Sequence, residues 1–179
     1  MNNKRSLFML LIALISALAF VPASPSLAQE NPPPQPIDLP CVTDVSVQVL
    51  GMTPVNDGTQ NLVQARVIFA PGGGITEHTH PGTLVLTVES GTFGFTHMSE
   101  GEMVVTRAAT ADGEAVTEPL VHGEEMAVNP GDWLVETGMI HTGASIGDEP
   151  ATVLLTGLIE AGQPLTICVD EGTPVASAT

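Results

Sequence analysis

The chain has 179 residues and carries only four Lys and Arg against twenty Asp and Glu, a formal charge of −16. Without a basic stripe to neutralise phosphates, nucleic acid and anionic membrane surfaces are excluded as partners. Its length suits one domain with one core once the unusual N-terminus is set aside.

That N-terminus begins with Lys4 and Arg5, continues as an apolar run over residues 7–21, and ends in the small-residue stretch Ser26, Leu27 and Ala28. A positive start, an apolar middle and a small-x-small end define a secretory signal peptide over residues 1–28. The apolar run is shorter than the roughly 20 residues of a membrane span. The expected location is therefore secreted or otherwise extracytoplasmic, with no stable membrane insertion after cleavage. Cleavage removes both Lys4 and Arg5, so the formal charge drops from −16 to −18 and no lysine is left for Schiff-base chemistry. A field of that sign concentrates divalent cations and slows anionic substrates.

Residues 29–40 form a proline-dense lead, NPPPQP at its centre, which is expected to be an extended tether. The domain proper is placed at 41–170. Val45, Val47 and Val49 alternate with Ser46 and Gln48, the pattern of a half-buried strand. Asn56-Asp57-Gly58 signals a turn, and residues 62–70 a second strand. Pro71 and the glycines Gly72, Gly73 and Gly74 are expected to stop that strand and allow a tight return. His78 and His80 follow two residues apart in an extended run, so both imidazoles face the same side.

Pro81-Gly82 turns the chain again, and Leu84, Leu86 and Val88 share one strand face. Gly91 permits another reversal, after which Phe93, Phe95 and His97 lie on a common face. Residues 103–109 and 115–121 flank Asp112-Gly113, a hairpin signal. Asn129-Pro130-Gly131 opens the run NPGDWLVETGMIHTGAS, which delivers His141. Residues 151–159 and 165–169 read as closing strands, and 171–179 as a disordered tail. No helical period follows the signal peptide. The fold class is therefore all-β, a small antiparallel barrel of short strands joined by Gly/Pro turns.

Cys41 and Cys168 are the only cysteines and flank the whole barrel segment. In an exported protein a lone pair points to one disulfide. Metal ligation by the two thiols is the alternative, although neither lies in a C-x-x-C pair.

His78 and His80 from one strand and His141 from a distant one can make half or more of a transition-metal shell. Their surroundings resemble the two motifs of the cupin family. Gly72, His78, His80 and Gly91 fall in register on G-x5-H-x-H-x3,4-E-x6-G, and Gly131, Gly138 and His141 on G-x5-P-x-G-x2-H-x3-N with one residue fewer before Gly138. Leu84 stands at the place of the glutamate ligand, while Glu136 and Ser145 replace the proline and asparagine. The resemblance spans residues 61–162. It implies a jelly-roll-type barrel, one divalent transition metal (Fe, Cu, Zn, Mn or Ni) on His78, His80 and His141, a small-molecule ligand or substrate, and a homodimer. Three-histidine members of the family include thiol dioxygenases.

Losing the glutamate has two readings. Either the metal is more positive and more open to water, dioxygen or a bidentate substrate, or the site is degenerate. Glu77 is expected to face away and Glu89 lies at the far strand end, so neither replaces it. Leu84 cannot carry a proton, which disfavours glutamate acid–base chemistry beside the metal. Met139 shares parity with His141, where its thioether would favour copper, although core packing is the commoner role. His97 is either a neighbour of the ligands or a strand-end residue, and His122 sits in an acidic loop. Phe93, Phe95 and Trp133 are expected in the barrel core, where they would make any pocket apolar.

Overall fold

The alternation of apolar and polar residues that begins at Val45 persists through strands long enough to curl around a single core. A computed structural model describes residues 31–109, 113 and 115–169. The expected signal peptide over 1–28, the expected tail over 171–179 and most of the Asp112-Gly113 tip lie outside these residues. Twelve strands follow in chain order: β1 (Gln35–Pro36), β2 (Val42–Val55), β3 (Gln60–Thr79), β4 (Gly82–Ser90), β5 (Phe93–His97), β6 (Val104–Thr106), β7 (Thr117–Pro119), β8 (Glu125–Val128), β9 (Trp133–Glu136), β10 (His141–Ser145), β11 (Ala151–Glu160) and β12 (Ile167–Cys168). One 3-10 turn at Asn56–Gly58 is the only helical element among the described residues.

The strands form one antiparallel sheet in the order β7-β6-β9-β4-β11-β3-β10-β5-β8, with β2 and β12 also on β3. Alternate residues line its inner face: Val63, Ala65, Val67 and Phe69 on β3, Leu84, Leu86 and Val88 on β4, and Val153 and Leu155 on β11. Each large aliphatic side chain so buried contributes about 1.5–3 kcal/mol. The architecture is the small all-β barrel expected.

Three local expectations are corrected. The return at Pro71 and the following glycines does not occur, because β3 runs unbroken from Gln60 to Thr79. Its partner on one edge changes instead, from β11 at Ala151↔Phe69 to β10 at Ala144↔Gly74. Pro71 falls in the gap between partners, where its missing N–H is not needed, and Gly72 absorbs the irregularity with φ 75°. The proline-rich lead is extended but not a free tether: Gln35 and Pro36 pair with Val47 and Ser46, and the Ile37 amide donates to the Val45 carbonyl at 3.1 Å. Trp133 lies outside the core, on the outer face of β9 with 38% of its surface exposed.

Cys41 and Cys168 form the expected disulfide across 127 residues. On one edge of β3, β2 ends with Val42 opposite Ile75, and β12 resumes the pairing with Cys168 opposite His78. The bridge therefore joins two strand ends beside a candidate ligand. In the chain-entropy account a loop of this size is worth on the order of 4–5 kcal/mol.

Candidate metal centre

His78 has Cys168 of β12 on one side and His141 of β10 on the other. β10 in turn pairs with β5, placing His97 opposite His141. Directly opposed residues project to the same face, so three histidines form a row across β3, β10 and β5. His80, two residues past His78, joins this face just beyond the end of β3. All four are buried.

The rings of His78 and His141 lie 4.2 Å apart, those of His78 and His80 5.1 Å, and those of His80 and His141 5.2 Å. One ring nitrogen from each of the three lies within 4.8 Å of the others. The tautomers follow from the remaining nitrogens. Nδ1 of His78 faces the Thr76 carbonyl at 2.8 Å, that of His80 the Leu165 carbonyl at 2.6 Å, and that of His141 the Met139 carbonyl at 3.0 Å. A carbonyl only accepts, so each Nδ1–H donates and each Nε2 keeps its lone pair. Metal-bound histidines are held in this way, with the second nitrogen donating to a carbonyl or carboxylate.

Burial disfavours protonation throughout the cluster. It pushes His78 down to about 4, helped by the neighbouring charge of His80. It also lowers His80, and it lowers His141 well below the usual imidazole range, with His78 and His80 adding to the effect. The three are neutral at physiological pH, the state a metal requires of imidazole. Neutral charge, one tautomer and a ring nitrogen from each histidine within 4.8 Å of the others together fit a single divalent ion. Phe95 stacks on His141, with centroids 4.8 Å apart and planes at 20°.

Beside the cluster is a cavity of about 190 Å³. Val67, Phe69, Leu86, Phe93, Val153 and Leu155 supply its inner wall, and all three candidate ligands border it. Gly138, at φ 75°, makes the turn before His141, and its Cα carries no side chain where a Cβ would lie 3.5 Å from the His80 carbonyl.

The other singled-out residues are placed as follows. Leu84 is fully buried in the core cluster and is not among the residues bordering the cavity. Met139 is partly buried and packs against the core, also away from the cavity lining. His97 is fully buried, and its Nε2–H donates to the Gly101 carbonyl at 3.1 Å while Nδ1 has no partner among the described residues. Phe93 borders the cavity. His122 is exposed, and Glu77 faces outward, while Glu89 pairs with Arg66 at 2.6 Å.

One residue escaped the sequence reading as an acid. Glu136 on β9 stands directly opposite Leu84 on β4, buried on the inner face, and neither carboxylate oxygen has a hydrogen-bond partner among the described residues. Burial pushes its carboxyl up to about 7. The amides of Met139 and Gly138 pull the other way but miss hydrogen-bond geometry. Its signal was parity: Glu136 alternates with Leu134, an inward residue, not with Trp133 or Val135. A carboxyl group is thus present one strand across from the place where the family motif has its glutamate.

Both motif segments meet on paired strands, with His78 opposite His141. This is a cupin fold. No family description and no curated protein matches the chain. Among solved structures, it is similar to a cupin superfamily protein from Desulfitobacterium hafniense at 17% identity, covering 65% of this chain and 78% of that one with a TM-score of 0.41. It is also similar to the polyketide cyclase RemF from Streptomyces resistomycificus, at 17% identity over 77% of this chain and 80% of that one, TM-score 0.44. A third is the oxalate decarboxylase of Bacillus subtilis, a protein with Mn(II) centres, at 20% identity over 71% of this chain but 28% of that one, TM-score 0.42. These similarities accompany the cupin topology and say nothing of this chain's chemistry.

Proposed function

We propose that this chain is an exported metal-binding cupin acting as a metal-dependent oxidoreductase of dioxygenase type on a small organic substrate. One observation carries the reading: three buried imidazoles, neutral and each fixed in the same tautomer by a backbone carbonyl, come together beside an apolar cavity. A bound divalent transition ion would supply Lewis-acid polarisation of a substrate atom and, where redox-active, a place for dioxygen. The chain's own part is to hold that ion through His78, His80 and His141, to orient the substrate in the cavity and to exclude water with its aliphatic walls. The disulfide suits an extracytoplasmic setting.

A second reading, a non-catalytic module that binds a metal or small ligand, draws on a different observation: apart from the histidines, no acid or base among the described residues borders the cavity. The two readings diverge in oxygen consumption. The enzyme reading expects metal-loaded protein to consume dioxygen in step with one member of a substrate panel, and loss of that consumption in His80→Ala. Ligand binding without any turnover would leave the module as the correct description. Protein that retains no metal after addition would contradict both readings and leave a vestigial site.

A further inference from the structure

The chemistry of the cavity wall restricts what can enter it. Besides the three histidines, Thr166 is the only polar side chain among the described residues that border the cavity. Charge to balance an anion is lacking on a larger scale as well. Once Lys4 and Arg5 are set aside, Arg66 and Arg107 are the only Lys or Arg side chains in the sequence. Neither borders the cavity. Both are already spoken for. Arg66 forks onto Glu89 at 2.6 and 3.1 Å, and Arg107 binds Glu118 at 2.6 Å and Asp132 at 2.8 Å.

Size narrows the choice further. The 190 Å³ volume modestly exceeds the roughly 150 Å³ of an apolar engineered cavity that stays dry and binds benzene. The mouth is built from both ends of the domain: Ile37 and Leu39 from the lead, and Pro164, Leu165 and Thr166 before β12. Leu165 also fixes His80 through its carbonyl, so the lip and one candidate ligand are a single unit.

From these observations we infer that the cavity binds a ligand of two unlike ends, and this rests on the metal-binding reading above. One end is a single donor group, neutral or anionic, that meets the histidine cluster. The other is an uncharged apolar body of about one ring with a short substituent. A charge on that second end is rejected, because it would be buried among Val67, Phe69, Leu86, Val153 and Leu155 with no partner. Small diacids gain nothing from such walls. Discrimination therefore depends on the far end of the molecule rather than on the end that reaches the metal.

The test compares 4-methylbenzoate with terephthalate on Co2+-loaded protein by calorimetry. The two probes match in size and donor, and terephthalate leaves a carboxylate in the apolar wall whichever way it enters. Measurement at ~0.5 M salt shortens the screening length to a few ångströms and removes the general repulsion of the acidic surface. The expected result is binding of 4-methylbenzoate with terephthalate weaker by about tenfold or more, roughly 1.4 kcal/mol. Ile37→Arg, a change at the half-exposed lip, should narrow that gap. Equal or tighter binding of terephthalate to the wild type, or no binding of either probe, overturns the inference while leaving the metal reading intact. If the protein takes up no Co2+, the metal reading fails by itself, and the wall is probed in metal-free protein with toluene and benzoate. Toluene bound in preference to benzoate sustains the apolar-body requirement, and the reverse order overturns it.

Discussion

Two walls of the same barrel meet burial in opposite ways. On the β3–β10 wall, every candidate ligand has its Nδ1–H satisfied by a carbonyl, and the nitrogens left over converge. On the β4–β9 wall, Glu136 is as deeply buried, yet neither of its oxygens has a donor among the described residues. Burial lowers the histidines and raises the glutamate, so each wall favours its neutral form more than a free side chain would. The first wall brings one ring nitrogen from each of three histidines within 4.8 Å of the others. The second buries a carboxyl that ionises less readily than usual, beside the leucine that stands at the motif's glutamate place, and this leaves the histidine cluster without a carboxylate.

The largest effect should come from the staple that closes the first wall. Cys41→Ser with Cys168→Ser is expected to remove on the order of 4–5 kcal/mol in urea unfolding. It should also weaken metal binding by loosening the Leu165 carbonyl from His80. An unchanged unfolding midpoint would mean that the bridge is not what holds this wall. Next, His80→Ala should lower Co2+ affinity by about 100-fold or more in a competition titration, since even residues behind the ligands typically change affinity ~10–100-fold. Equal affinity would remove His80 from the cluster.

The two walls should also give stability slopes of opposite sign in metal-free protein. Folded His78 titrates at about 4 against 6.5 for an ordinary imidazole, so the unfolded chain takes up a proton that the folded one refuses. Stability is then lost as pH falls from 6.5 through 4. Folded Glu136 titrates at about 7 against 4.5, so the folded chain retains a proton that the unfolded one releases, and stability is lost as pH rises across that window. Glu136→Gln should cancel the second slope, stabilising the protein by about 2 kcal/mol near pH 8 and leaving it unchanged at pH 4.5. Thermal unfolding at the two pH values reads this directly, and a gain of equal size at both would show that ionisation of Glu136 is not the cause.

The smallest effect sharpens the comparison most. Exchanging the cross-strand pair, Leu84→Glu with Glu136→Leu, keeps one buried carboxyl but returns it to the family position. Co2+ affinity should rise about tenfold, a gain of roughly 1.4 kcal/mol. Unchanged affinity and an unchanged visible spectrum would place residue 84 out of reach of the ion.

Much of this was legible beforehand, for a physical reason. The residues at 78, 80 and 141 follow from side-chain parity and from turn glycines at fixed offsets, both local properties of the chain. What the sequence concealed depends on partners. Pro71 and the three glycines after it carry the composition of a stop, but the strand continues because its neighbour changes there and no paired N–H is required of the proline. The lead gained its strand from β2, not from any alternation of its own. β9 reverses the usual rule, with Trp133 and Val135 outward and Glu136 inward. A reading by hydrophobicity therefore put Trp133 in the core and passed over the buried acid.

Titration of metal-depleted protein with Co2+, followed by visible absorption and elemental analysis, tests the shared imidazole site most directly. The expected result is one equivalent bound per chain by the wild type, with a nitrogen-ligand spectrum, and loss of that equivalent in His141→Ala. A wild type that takes up no ion, or a His141→Ala variant that binds it as tightly, would contradict the account.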